Sequence, residues 1–314
     1  MFKKSITKSQ NKKLNLSLSL VYLFSFSLSG CGKKSEVADL ADSLNESEAA
    51  VESGVSMISG MADDQAGSEL SWKPHSSNPT LASSLSVWSL FAATRANADS
   101  CYRASLSSCL AGLKSAEYNQ CSVLGTLRSM NGSVQLTYSN SGCTMLQAGD
   151  SVSRTYNVAI SGSRGGVVSL TSAEKADYRG TSYGGGGSIQ KTLTGFQLNI
   201  LGRHSSFQRN GKTLSDVSVR TLQPVEVTGS LNRDNRVING GQLEVNHNLK
   251  GFTSLLVANN VQWNSQCCHP IAGEMSITYS GSKTGTATVT FNGCGTATLN
   301  QDGQQQSIAL SYCE

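Results

Sequence analysis

The apolar positions along the chain change their period. From Leu14 to Leu28 they crowd together: ten of fifteen residues are apolar or aromatic and none is charged. Further on they fall at helical spacing. Val37, Leu40, Ala41 and Leu44 lie at i, i+3, i+4 and i+7, and Val51, Val55, Ile58 and Met61 continue the stripe. Leu81, Leu85 and Trp88 repeat it, as do Leu106, Leu110 and Leu113. These spacings predict amphipathic helices. From about Cys121 the period drops to two. Val134, Leu136 and Tyr138 alternate with polar residues, as do Tyr156, Val158 and Ile160, and Leu243 and Val245. The same holds for Met275, Ile277 and Tyr279, for Ala287, Val289 and Phe291, and for Ile308, Leu310 and Tyr312.

Turn signals separate these runs: Asn131-Gly132, Asn210-Gly211, Asn239-Gly240-Gly241, Ser280-Gly281-Ser282, Asn292-Gly293 and Asp302-Gly303. Asn-Gly and Asp-Gly suit the type I′ turns of hairpins, which need positive φ. Roughly twelve to fourteen hairpin-linked strands are predicted. The fold class is mainly β with N-terminal helices: a long antiparallel meander with one apolar and one wet face. Such a meander must close, fold over or be covered. A curved sheet or barrel-like domain with the helices packed on it is expected, with a two-sheet sandwich as the alternative. The strands carry too much Thr, Ser and Gln for the outward face of an outer-membrane barrel. Tyr183-Gly184-Gly185-Gly186-Gly187 lacks the Gly-Lys-Ser/Thr ending of a phosphate loop and reads as a flexible hairpin tip.

The first crowded run has a specific context. Lys3, Lys4, Lys8, Lys12 and Lys13 precede it, and no acid occurs before Glu36. The run is too short to span a bilayer and has the form of a secretory signal core. Leu28-Ser29-Gly30-Cys31 follows at once. Residues 1–31 resemble a bacterial lipoprotein precursor with its lipobox. The resemblance implies that the Cys31 thiol receives a diacylglyceryl group, that cleavage precedes Cys31, and that the new amine is acylated. Two or three acyl chains anchor stably where one does not. Gly32, in place of the Asp that favours inner-membrane retention in enteric lipoproteins, implies the outer membrane.

Export changes the charge balance. The formal net charge is +4, but the leader holds five of the 25 bases and none of the 21 acids. The mature chain keeps 20 bases against 21 acids, so bulk attraction to nucleic acid loses its basis. The stretch from Ser35 to Leu70 holds nine acids and no base. It reads as an acidic, partly helical tether that anionic headgroups repel. The expected organisation is a signal peptide at 1–30, the tether at 31–80, a helical segment at 81–120 packing on the β domain, and the antiparallel β domain at 121–314.

Lipidation of Cys31 leaves Cys101, Cys109, Cys121, Cys143, Cys267, Cys268, Cys294 and Cys313. An even number in an exported chain predicts disulfides, within an N-terminal and a C-terminal group of four. Cys267 and Cys268 are neighbours and should take separate partners from Cys294 and Cys313. In the first group a hairpin at Asn131-Gly132 favours Cys121–Cys143, leaving Cys101–Cys109, with the crossed pairings as alternatives. Cys267, Cys268, His269 and Cys294 have zinc-binding chemistry, but without the usual ligand spacing, and no metal is assigned. Arg203-His204 with Arg209 and Lys212 suggests a basic surface around a hairpin. His75, His204, His247 and His269 have no acid beside them in a known motif. No local nucleophile, acid–base pair or cofactor motif is found. The expected role is a non-enzymatic, lipid-anchored envelope protein that binds or scaffolds. Its expected partners are the membrane through Cys31 and an envelope protein or anionic polymer. The alternative is a carrier holding an apolar ligand between a curved sheet and its helices.

Overall fold

The computed structural model describes residues 102–104, 109–123, 128–162, 165–229, 235–264 and 266–310. The expected signal peptide, Cys31, the expected tether, the expected helix after Leu81, Cys101 and Cys313 lie outside the described residues.

The chain runs through β1 (Tyr102–Ala104), β2 (Leu113–Val123), β3 (Arg128–Tyr138), β4 (Ser151–Gly162) and β5 (Gly166–Thr171). Two short strands, β6 (Lys175–Ala176) and β7 (Ser182–Tyr183), precede β8 (Gly186–Lys191), β9 (Gly195–Arg209), β10 (Lys212–Gln223) and β11 (Val225–Thr228). Then come β12 (Val237–His247), β13 (Phe252–Asn264), β14 (Cys267–Gly281), β15 (Gly285–Phe291), β16 (Thr296–Gln301) and β17 (Gln304–Ala309). Fifteen of these form one antiparallel sheet, and β6 and β7 pair separately.

The meander has thirteen lanes because two lanes are shared. β10 and β11 occupy one lane between β9 and β12. Pro224 divides them, having no N–H for the ladder. β5 and β8 share the lane between β4 and β9. Between them residues 172–185, carrying β6 and β7, leave the ladder and return to it. That excursion positions the site described below.

Alternation puts the core on one face. A single buried cluster draws on β3, β4 and every strand from β8 to β17. Ile238, Val261, Met275, Val289 and Leu299, on five successive strands, are 0% exposed. A smaller cluster holds Met130, Val134, Tyr156, Val158, Ile160 and Leu170. The alternating residues Val134, Leu136, Tyr138, Tyr156, Val158, Ile160, Leu243, Val245, Met275, Ile277, Tyr279, Ala287, Val289, Phe291, Ile308 and Leu310 are all buried. Period-two burial is what a strand with one covered face imposes.

Four expectations need correction. Residues 102–104 and 113–120 are strand, so the β region begins before Cys121 and the helical reading of 81–120 fails there. Ala111 and Gly112 take positive φ and turn the chain, and Leu110 stands 76% exposed instead of joining a buried stripe. Asn131-Gly132 and Asn239-Gly240-Gly241 lie inside β3 and β12. They serve bulges: the β2–β3 register shifts between Tyr118 and Cys121, where Asn131 Oδ1 accepts the Gln120 N–H at 2.7 Å. The β12–β13 register shifts twice around Gly240. Asn210-Gly211 and Asp302-Gly303 are the hairpin turns expected, both residues of each at positive φ.

Tyr183 to Gly187 is no flexible tip. It carries the excursion back into the sheet through a crowded crossing. A Cβ at Gly186 would meet Arg154 O at 1.9 Å, and one at Gly202 would meet Gly184 N at 2.3 Å. Only glycines let these backbones approach so closely.

The fourth correction concerns the disulfides. Cys109 is bonded to Cys143 (Cα–Cα 5.8 Å), which excludes both Cys121–Cys143 and Cys101–Cys109. Asn131-Gly132 lies within β3 and does not turn the chain, so no hairpin there returns it from Cys121 to Cys143. A second bridge joins Cys267 to Cys294 (Cα–Cα 5.6 Å), one of the pairings open in the C-terminal group. Cys121 and Cys268 lie in β2 and β14. Strand directions put both bridges at the same end of the sheet. That end also carries the longer β3–β4 connection and the β13–β14 and β15–β16 turns.

Candidate functional site

On the sheet face opposite the core, four polar side chains form a row across adjacent strands. His204 pairs with Ser218, Ser218 with Asn246, and Asn246 with Thr253, from β9, β10, β12 and β13. Ser218, Asn246 and Thr253 alternate with apolar residues that point the other way, such as Val219, Val245 and Phe252, while His204 is flanked by Arg203 and Ser205. An exposed row of this kind is ordinary for an antiparallel sheet. Here it is buried: Ser218 and Asn246 are 0% exposed and His204 2%. The cover is the excursion 172–185.

The contacts under that cover are closely matched. His204 Nε2 lies 2.7 Å from Tyr183 O, which only accepts, so this nitrogen carries the proton. In the neutral ring Nδ1 then accepts from Ser218 Oγ at 2.8 Å. Tyr183 stacks on His204, and its hydroxyl meets the Asn246 amide. Thr253 Oγ1 donates to Asn246 Oδ1 at 2.6 Å, and Tyr178 OH lies 3.0 Å from the same hydroxyl. The Tyr178 N–H donates to Asn248 Oδ1, while Asn248 Nδ2 donates to Asp216 and Ser218.

Charged groups close one side. Arg179, from the excursion, donates to Asp177 at 2.7 Å and to Glu244 of β12 at 2.9 Å. Arg220 of β10 donates to the same Glu244 oxygen at 2.8 Å, with its guanidinium over the Tyr183 ring. Lys175 reaches Asp216 at 2.7 Å. Three cations thus face three carboxylates. Burial alone would raise the Asp177 carboxyl, but hydrogen bonds from the Arg179 side chain and from the Thr181 and Arg179 N–H groups hold it below its usual range. Glu244 behaves likewise: burial pushes it up, and Arg179 and Arg220 bring it below normal. The Arg179 guanidinium loses from burial and gains more from its two carboxylates, so it is held even more firmly in the charged form.

This arrangement contains a Ser–His contact and a pair of carboxylates, both of which serve catalysis elsewhere. Neither is poised to do so here. Ser218 Oγ also receives Asn248, and Glu244 receives two arginines and the Asn246 amide. The groups are buried and engaged with one another, which is the chemistry of a clamp that fixes the excursion to the sheet.

The sequence-predicted candidates fare unevenly. Arg203 and His204 are buried, at 5% and 2% exposed, so half of the expected basic surface lies inside. Arg203 packs over the Tyr156 ring, while Arg209 and Lys212 are exposed at the β9–β10 hairpin. His247 stacks on Phe252. The sulfurs of Cys267 and Cys294 are bonded to each other and are not held as zinc ligands. Among the described residues no cluster of His, Cys, Asp and Glu has the arrangement of a metal site. Sequence reasoning missed Asp177, Arg179, Arg220, Glu244 and Asn246. They come from three separate stretches, and Glu244 and Asn246 look like the wet positions of an alternating strand. Successive buried residues, Leu243 to Asn246 in β12 and Phe252 to Ser254 in β13, betray cover on both faces.

Compared with protein-family models, curated proteins and solved structures, the chain finds no match.

Proposed function

We propose that this is a lipid-anchored protein of the cell envelope, exported and held in the outer membrane through Cys31, with a non-enzymatic binding or scaffolding role. The observation that carries the proposal is Leu28-Ser29-Gly30-Cys31 directly after a basic start and a fifteen-residue uncharged apolar core. Two disulfides support an oxidising compartment. The polar network supports a structural role, since its nucleophile and carboxylates are occupied by neighbours. Its domain faces the periplasm or the cell surface.

The finer architecture belongs to the same proposal. Side chains at 0% exposure on five successive strands need cover on their free side. Register shifts in most of the central strand pairs favour a sheet that bends and coils. A curved or barrel-like sheet folding its apolar face inward satisfies both. The same tight inner face favours a scaffold over a carrier, which needs an apolar cavity. The test is capture from envelope extracts with the full lipidated chain as bait, read by proteomics and lipidomics. Reproducible recovery of an envelope protein or polymer supports the reading. Recovery of a stoichiometric apolar small molecule in its place favours the carrier.

A further inference from the structure

Three large apolar side chains stand out from the surface: Leu110 and Leu146 at 76% exposed and Leu193 at 93%. The other exposed leucines, Leu201, Leu222 and Leu249, range from 45% to 54%. The first three sit on separate loops at one end of the sheet, the end that carries both disulfides. Leu110 precedes β2, Leu146 lies between β3 and β4, and Leu193 is at the β8–β9 turn.

These loops are fastened together. Cys109–Cys143 ties the first to the second, and the Tyr138 N–H donates to Gly112 O at 2.8 Å. The second and third are joined by Gly149 N–H to Lys191 O at 2.9 Å and Lys191 N–H to Asp150 O at 2.8 Å. Adjacent tips are therefore separated laterally by one or two strand spacings, of the order of 5–10 Å. The second loop is further set by Asp150, whose carboxylate accepts the Leu146 and Gln147 N–H groups at 2.9 and 2.8 Å. That acid is turned into the loop; Lys191 ends β8 two residues before Leu193, and the Lys114 ammonium lies over the Tyr138 ring at 5.5 Å.

We propose that this rim enters the surface of the bilayer that carries the anchor, with Leu110, Leu146 and Leu193 inserted among the acyl chains and Lys191 at the headgroups. The proposal rests on the reading of Cys31 as the anchored residue. Three tips on separate loops, with polar backbone between them, make no continuous face for a protein partner. A fluid interface accepts each one independently. Seventy residues lie between Cys31 and Tyr102 in the sequence. The disulfide and the cross-loop hydrogen bonds hold the tips in place beforehand, so little ordering is needed on contact.

The test uses the full chain in phosphatidylcholine–phosphatidylglycerol vesicles containing lipids brominated in the upper acyl chain. Leu146→Trp and Leu193→Trp are compared with Leu249→Trp, which is on the opposite end of the sheet, and with the parent chain. Insertion by about 5–10 Å should quench the added emission at both rim positions to about half or less and leave Leu249→Trp unchanged. Equal quenching at both ends, or none at the rim, overturns the proposal. Intact mass on the same sample reports the anchor separately: an unacylated chain with rim quenching refutes the anchor alone, and an acylated chain without it refutes the rim.

Discussion

Arg179 Nη2 donates to Glu244 Oε1 at 2.9 Å across 65 residues of sequence, joining the excursion to β12. The same nitrogen holds Asp177 at 2.7 Å, so one guanidinium fastens both ends of the contact. Glu244→Ala would leave Arg179 and Arg220 facing each other with their shared acceptor gone. Removing one partner of a buried pair costs about 3–5 kcal/mol. Both arginines keep some exposure, 33% and 27% of their side chains, which lowers the expectation to about 2–3 kcal/mol. Chemical denaturation measures it. A double-mutant cycle with Arg179→Ala should show coupling of about 1 kcal/mol or more.

Acid should loosen the excursion before the rest of the sheet. The carboxyls of Asp177 and Glu244 lie below their ordinary values of 3.8 and 4.5. Below those values the unfolded chain binds protons that the folded chain does not, so stability falls as pH falls. The contribution is complete above pH 4.5 and disappears as pH drops through the depressed folded values. Hydrogen exchange, read as protection factors, should show residues 172–185 losing protection in that window ahead of β12–β16. Protection that follows the core at every pH contradicts this.

How far the sequence reaches depends on whether a signal is local. Met275, Ile277 and Tyr279 alternate and are buried on one face, and Asp302-Gly303 turns where its chemistry says it should. Asn131-Gly132 has the same chemistry but stays in its strand opposite a bulge at Asn119-Gln120 of β2, so only the partner strand decides its role. The four-glycine run resembles a loose tip because the crowding around Gly186 comes from β4, some thirty residues earlier in the chain. The clamp was illegible for the same reason. Each of its residues occupies an unremarkable polar position, and what makes it a site is the cover supplied by an interrupted lane.

That crowding can be tested directly. Gly186 has φ +75° and no room for a Cβ, whereas Gly211 has the same φ with nothing within 4 Å. Gly211→Ala should cost about 1–2 kcal/mol from backbone strain alone. Gly186→Ala should cost clearly more, since β8 must shift away from Arg154. Comparable losses of stability for the two variants would contradict the close crossing.

Peptide mapping without reduction should recover Cys109 linked to Cys143 and Cys267 linked to Cys294. Replacing the first pair with alanines should cost about 2–4 kcal/mol. It should also raise hydrogen exchange in the β3–β4 loop around Leu146. A Cys121–Cys143 peptide would contradict the arrangement of that end of the sheet.

The anchor is tested most directly by intact and peptide mass measurement on the protein purified from membranes. The expected N-terminal peptide begins at Cys31, with a diacylglyceryl group on its sulfur and a further acyl chain on its amine, and Cys31→Ala should abolish both this peptide and the cleavage. A wild-type chain that begins elsewhere and carries no lipid would contradict the account of this protein as a lipid-anchored envelope component.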